Sequence, residues 1–110
     1  MSLEDFFEQD EAPVVKQTIK EKIRQRRSQM LVHSCIYYEL DDSIVSDDDW
    51  QRWANELADL QEKYPKHKKI GFFDRVFSTW DGSSGYHLPH RDPWVYNKAQ
   101  QLLKHNQENS

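Results

Sequence analysis

A turn and a helix start stand back to back near the middle of the chain, in Asp41-Asp42-Ser43-Ile44-Val45-Ser46-Asp47-Asp48-Asp49-Trp50. Asp41, Asp42 and Ser43 favour a turn, because their short side chains bond to nearby backbone. Ser46 is a strong N-cap, and Asp49 three positions later nearly completes a capping box, with Asp in place of Glu. Asp47, Asp48 and Asp49 put negative charge where a helix dipole welcomes it. One helix must therefore end near Leu40 and another begin at Ser46, which makes a helical hairpin. The same local logic explains the acidic run without a metal. A calcium loop needs spaced oxygen ligands and a central glycine, and this run has neither.

Apolar periodicity extends the hairpin in both directions. The first helix is expected from about Pro13, which suits a first helical turn, to Leu40. Val15, Ile19, Ile23, Met30, Ser34 and Tyr37 keep to one side of it. Arg24, Arg26 and Arg27 interrupt the middle and read as a solvated face whose stems lie over aromatic rings, ahead of a phosphate contact. The second helix is expected from Asp47 to Tyr64, with Trp50, Trp53, Ala54, Leu57, Leu60 and Tyr64 as its apolar stripe. Pro65 stops it, and Lys66-His67-Lys68-Lys69 reads as a solvated connector.

Ile70 to Pro89 is rich in aromatics and irregular. Phe72, Phe73, Val76, Phe77 and Trp80 fit a short helix better than a strand, whose alternation Asp74 interrupts. Gly71, Gly82 and Gly85 are the chain's three glycines, so unusual dihedrals are expected here. A phosphate-cradling loop is a weak reading of them, because no Lys-Ser/Thr pair follows. Asp92-Pro93 then reads as an N-cap with Pro at the first helical position. It opens a third helix with Val95, Ala99, Leu102 and Leu103 on one face. The expected fold is mainly α: a helical hairpin, an aromatic-rich irregular segment, and a C-terminal helix packed on it. A single domain over 13–105 is expected between a flexible acidic tail, 1–12, and a frayed end, 106–110. Leu3, Phe6 and Phe7 in the tail read as a turn docked on the core, ahead of an arm for a partner.

Composition narrows the function classes. The 110 residues carry 15 basic and 19 acidic side chains, a formal charge of −4. That is not the basic excess of a dedicated DNA binder, so nucleic acid is an unfavoured partner. Cys35 is alone, so no intrachain disulfide forms, which suits a reducing cytoplasm. The start of the chain has no apolar run of a signal peptide, and no stretch reaches the ~18 apolar residues of a membrane span. His87, His90 and Asp92 cluster in sequence, but zinc needs three or four converging ligands; Cys35 and His67 would have to join them, and no metal is expected. No Ser-His-Asp or Cys-His arrangement follows from spacing, so no catalytic residue is assigned.

The hairpin resembles the N-terminal helical module of bacterial NAD-dependent DNA ligases. The resemblance runs from about Ile23 to Pro65. It rests on Tyr37-Tyr38-Glu39-Leu40-Asp41, on Val45-Ser46-Asp47-Asp48-Asp49-Trp50-Gln51-Arg52-Trp53, on Glu56-Leu57 and on Tyr64-Pro65. The whole chain is also similar to small ligase-related proteins of bacteriophages, which share a Trp-Asp-Gly-Ser-Ser-Gly segment and a closing helix. In the ligases this module grips the nicotinamide mononucleotide (NMN) half of NAD. The resemblance therefore implies Tyr37, Tyr38, Asp47, Trp50 and Gln51 as the cofactor-binding positions. Tyr37 and Asp47 keep the ligase residue. Tyr38 stands where the ligases have His, Trp50 where they have Tyr, and Gln51 where they have Asp. Losing that carboxylate should weaken the grip on a cationic nicotinamide ring. The ligases also need a nucleophilic Lys in Lys-x-Asp-Gly; the one Asp-Gly here, Asp81-Gly82, has Thr79 at that position. The expectation is a binding protein and not an enzyme. It would be phage-borne and act through protein contact on a host or phage enzyme, and the alternative is a module that binds NMN or NAD, accessory to a ligase or another NAD-using system.

Overall fold

The computed structural model describes residues 17–108. The acidic tail, with Leu3, Phe6 and Phe7, lies outside the described residues, as do Pro13 and Val15. Among the described residues three α-helices make up the regular structure, α1 (Ile19–Tyr38), α2 (Asp47–Lys63) and α3 (Pro93–Glu108), with a 3-10 turn at Pro65–His67. No strand occurs among the described residues. The fold is the expected mainly-α one.

Each helix start has a local cause. Thr18 caps α1: its hydroxyl accepts the Glu21 N–H at 3.1 Å, while the Glu21 carboxylate accepts the Thr18 N–H at 3.2 Å. This full capping box satisfies two backbone donors that the helix leaves open. Ser46 caps α2 as expected, accepting from Asp49 N–H at 3.0 Å. Asp92 caps α3, its carboxylate accepting from Trp94 and Val95. The α1–α2 turn is made by Asp41, which adopts φ +52°, a left-handed conformation that Asp tolerates better than most residues. At the other end, α3 continues through Asn106 to Glu108, past the expected point of fraying.

α1 is the axis of the molecule. It packs against α2 on one side and α3 on another, while α2 and α3 hardly touch. From Gln25 to Ile36 every side chain is buried, so the expected one-sided face is instead a helix enclosed all round. Trp53, Ala54 and Leu57 of α2 and Val95, Ala99 and Leu102 of α3 close on it. The pairings Arg27 with Gln61, Arg26 with Glu56 and His33 with Trp53 show that α1 and α2 run antiparallel.

Enclosure overturns the solvated reading of two arginines. Arg24 is exposed and lies over the Phe72 ring at 4.0 Å, as a snorkelling side chain would. Arg26 is buried against Glu56 and Gln29. Arg27 is fully buried, and its five N–H donors all find acceptors. Two go to Gln61 Oε1 at 3.0 and 2.7 Å, and one each to Phe72 O, Asp74 and Lys68 O at 2.7, 2.7 and 2.9 Å.

The segment after α2 departs from the expected short helix. It is a run of bends and turns over 70–79. Gly71 at φ +73° and Phe73 at φ +54° break helical continuity. Asp74, which spoils strand alternation in the sequence, is what orders the bend. Its carboxylate accepts from Ile70 and Gly71 N–H as well as from Arg27.

Because Arg27 holds three sequence-distant pieces together, Arg27→Ala should destabilise the protein by about 3–5 kcal/mol, the usual cost of stranding the partner of a buried charge. Urea unfolding of the variant measures this. A loss under about 1 kcal/mol, the level of an exposed ion pair, would contradict it.

Candidate functional site

At the turn end of the hairpin the two helices present matching trios. Ser34, Tyr37 and Tyr38 sit at i, i+3 and i+4 on the last turns of α1. Asp47, Trp50 and Gln51 sit at i, i+3 and i+4 on the first turn of α2. That spacing puts each trio on one side of its helix, and all six residues line one open cleft of about 260 Å³. Tyr37, Tyr38, Asp47, Trp50 and Gln51, the five positions implied by the resemblance, are thus brought together.

The hairpin supplies two walls and the irregular segment supplies a third. Ser83, Ser84 and Gly85 line the same cleft, held there by hydrogen bonds to α2 and by close packing on α1. Trp80 Nε1 donates to Ala54 O at 3.0 Å, and Gln51 Nε2 donates to Gly82 O at 2.8 Å. Gly82 has φ +81° and sits so close to α2 that a Cβ would come within 3.1 Å of Ala54 O. Gly85 meets α1: a Cβ there would run into Ser34 Oγ and lie 3.1 Å from the Trp50 ring. His90 secures the far side, its Nε2 paired with Gly85 O at 2.8 Å and its ring stacked on Tyr38 at 5.2 Å. Close approach of backbone to a helix is a use for glycine that its positive-φ role does not cover.

Gln51 is therefore more than a ligase carboxylate with its charge removed. Its amide nitrogen donates to a loop carbonyl, which a carboxylate cannot do. Tyr38 likewise stacks on an imidazole from elsewhere in the chain. Trp50 is half-buried, with its ring 6.2 Å from that of Trp80, while Trp53 is buried in the core.

Two chemical features of the cleft stand out. Among the described residues Asp47 is its one carboxylate, and no Lys or Arg lines it. His33 also lines it, and burial pushes that imidazole down to about 4, so it is neutral near pH 7. Tyr37 and Tyr38 remain exposed at the rim, in edge contact at 4.9 Å, and Tyr86 continues the ring cluster at 5.4 Å from Tyr38. Cys35 is buried just behind, its thiol donating to His90 O at 3.2 Å and pushed up to about 11 by burial and by Glu39. Among the described residues no three His, Cys, Asp or Glu side chains converge as a metal would need.

Sequence reasoning missed Ser34, His33 and the loop residues Ser83, Ser84 and Gly85. Ser34 carried a signal, one helical turn before Tyr37. The loop carried only its cluster of small residues, and nothing in its spacing pointed to the hairpin.

The family model for the DNA ligase-like, N-terminal NAD+-binding domain matches residues 16–70, and the chain belongs to that family. It is similar to a DNA ligase of Pseudothermotoga lettingae, 36% identical over 52 residues, and to one of Bacteroides fragilis, 39% identical over 51 residues. Those stretches are 47% and 46% of this chain and 8% of each ligase. A DNA ligase of Thermosipho africanus is 33% identical over 51 residues, again 8% of its length. The chain thus spans a small part of the curated relatives it matches. No solved structure matches it significantly. The third wall of the cleft, from Trp80 to His90, lies outside the family match.

The His33 shift gives a pH dependence. In the unfolded chain His33 takes up a proton near pH 6.5, and in the folded chain only near pH 4. Stability is thus full above pH 6.5 and falls between 6.5 and 4, by roughly 3 kcal/mol if the whole shift is realised. Asp74 acts lower. Burial pushes its carboxyl up, but Arg27 and the Ile70 and Gly71 N–H groups outweigh that and hold it at about 2, so its contribution is lost only as pH falls from about 3.8 to 2. Thermal melts across pH 4–7 should show the first loss in the wild type and a flatter curve in His33→Gln; equal slopes would contradict the assignment.

Proposed function

We propose that this chain is a nicotinamide-nucleotide-binding module, accessory to a DNA ligase or another NAD-using system. The observation that carries the reading is the convergence of Tyr37, Tyr38, Asp47, Trp50 and Gln51 on one cleft, in a chain of the NAD+-binding ligase-domain family. The chemistry of the lining suits the ligand. A pyridinium is flat and cationic, and the cleft offers tyrosine and tryptophan rings for its face and one carboxylate for its charge. A volume of about 260 Å³ lies just under the ~300 Å³ lower bound for drug-sized ligands. That suits a mononucleotide better than a whole dinucleotide, so a bound NAD would leave its adenylyl half outside.

The module is non-catalytic on its own in this reading, which the Thr79-Trp80-Asp81-Gly82 sequence supports by lacking the lysine nucleophile. It works in the cytoplasm, that of a host cell if the chain is phage-borne. No helix among the described residues is long and apolar enough to cross a membrane.

A second reading, contact with a protein partner, is favoured by one observation: Tyr37, Tyr38 and Tyr86 are 58%, 43% and 73% exposed and adjoin one another. Exposed rings of this kind are good interface anchors. The two readings combine naturally, since a partner seated on these rings would cover the mouth of the cleft.

Calorimetric titration with NMN and NAD, with AMP as control, tests the leading reading. Heat is expected from NMN and NAD but not from AMP. Asp47→Ala should weaken NMN binding about fivefold, as loss of one solvent-exposed ion pair would. No heat at millimolar NMN would refute the reading.

A further inference from the structure

Ser34 is an anomaly. The residue is 2% exposed and its hydroxyl is buried with no hydrogen-bond partner, yet it lines the cleft. A buried hydroxyl without a partner forfeits the hydrogen bonds that it had in water, a cost of about 1–3 kcal/mol. Helical serines commonly avoid this by bonding to the carbonyl four residues back. Ser28 does so on the same helix, donating to Arg24 O at 2.9 Å. Ser34 does not, and the chain stations a glycine, Gly85, directly against it.

The loop beside it adds two more hydroxyls with defined roles. Ser84 Oγ accepts the Tyr86 N–H at 3.1 Å, which leaves its own proton free to donate. Ser83 Oγ donates to Asp81 at 2.6 Å, which leaves it free to accept. Ser34 and Ser84 can thus donate, and Ser83 can accept, in a cleft that no cationic side chain lines among the described residues.

We infer that Ser34, Ser83 and Ser84 form an amide-reading subsite, which makes the cleft select nicotinamide over nicotinate nucleotides. The inference rests on the nicotinamide-nucleotide reading above and adds the substituent that the site distinguishes. A carboxamide has one carbonyl acceptor and an NH₂ donor, which the donors and the acceptor here match. A carboxylate has only acceptors and carries a charge. It would lose its hydration with no Lys or Arg among the described lining residues to compensate, in the same cleft as Asp47. Sites that hydrogen-bond a polar group reject the mismatched analogue strongly, because buried polar atoms are left unpaired. The loop that makes the selection lies outside the part of the chain shared with the ligase family, so this is a property of the added segment together with α1.

The test is titration of the full chain with NMN and with nicotinate mononucleotide, in the wild type, Ser34→Ala and Ser84→Ala, with thermal melts of each free protein. The wild type should prefer NMN by at least about tenfold. Each variant should lose about fivefold in NMN affinity and less for the acid, narrowing the preference. Free Ser34→Ala should melt at or above the wild-type temperature, since it removes a buried unpaired hydroxyl. Ser84→Ala, in a half-buried loop position, is the second route should Ser34→Ala perturb packing. Equal wild-type affinity for the two nucleotides, or variants with an unchanged preference, would overturn the inference and leave the binding module intact. Absence of NMN binding in the wild type would overturn both.

Discussion

A guanidinium buried in the middle of a helix must find acceptors for five N–H donors, and Arg27 finds them in pieces of chain that the sequence holds far apart. Gln61 belongs to α2, Lys68 to the connector, and Phe72 and Asp74 to the bend beyond it. Gln61 then passes the contact on, donating to Phe77 O at 2.9 Å. Satisfying one buried cation thus ties α2 to the connector and to the bend where the aromatic segment turns back. The route of that segment determines that Trp80 reaches Ala54 and that the 82–85 loop arrives at the hairpin. The cleft is a downstream consequence of a charge that the core is built to neutralise.

Local signals in the sequence were accurate where a cap or a stripe stood alone. Ser46, the Trp53-Ala54-Leu57 stripe and Asp92-Pro93 each behave as their neighbours dictate. The failures share a physical cause. Arg26 and Arg27 read as solvated because burial of a charge depends on partners 30 to 47 residues away, which no helical period reveals. Asp74 read as an interruption because its three donors exist only once the bend has formed. The short helix expected over Phe72–Trp80 failed because Gly71 and Phe73 take left-handed backbone, and the bend they make brings Phe72 O and Asp74 to Arg27.

The site was legible in its two helical walls and not in its third. Tyr37, Tyr38, Asp47, Trp50 and Gln51 came from pattern at fixed spacing, and geometry unites them. Ser83, Ser84 and Gly85 came from tertiary closure. Their arrival also changes what a departure from the ligase pattern means. Gln51 looked like a weakened ligand position, and in place it is the donor that fastens the loop. Tyr38 looked like a lost imidazole, and in place its ring faces that of His90. The hairpin lies within the family match, and the loop that it holds comes from outside that match, so the cleft has three walls drawn from both parts of the chain.

Amide hydrogen exchange, followed with and without saturating NMN, is the most direct measurement of that three-walled site. Bound nucleotide should slow exchange together at the start of α2, around Asp47–Gln51, and in the loop at Ser83–Tyr86, with α3 unchanged. Protection confined to the hairpin, with the loop exchanging as freely as before, would contradict a site in which the added segment closes on the ligand.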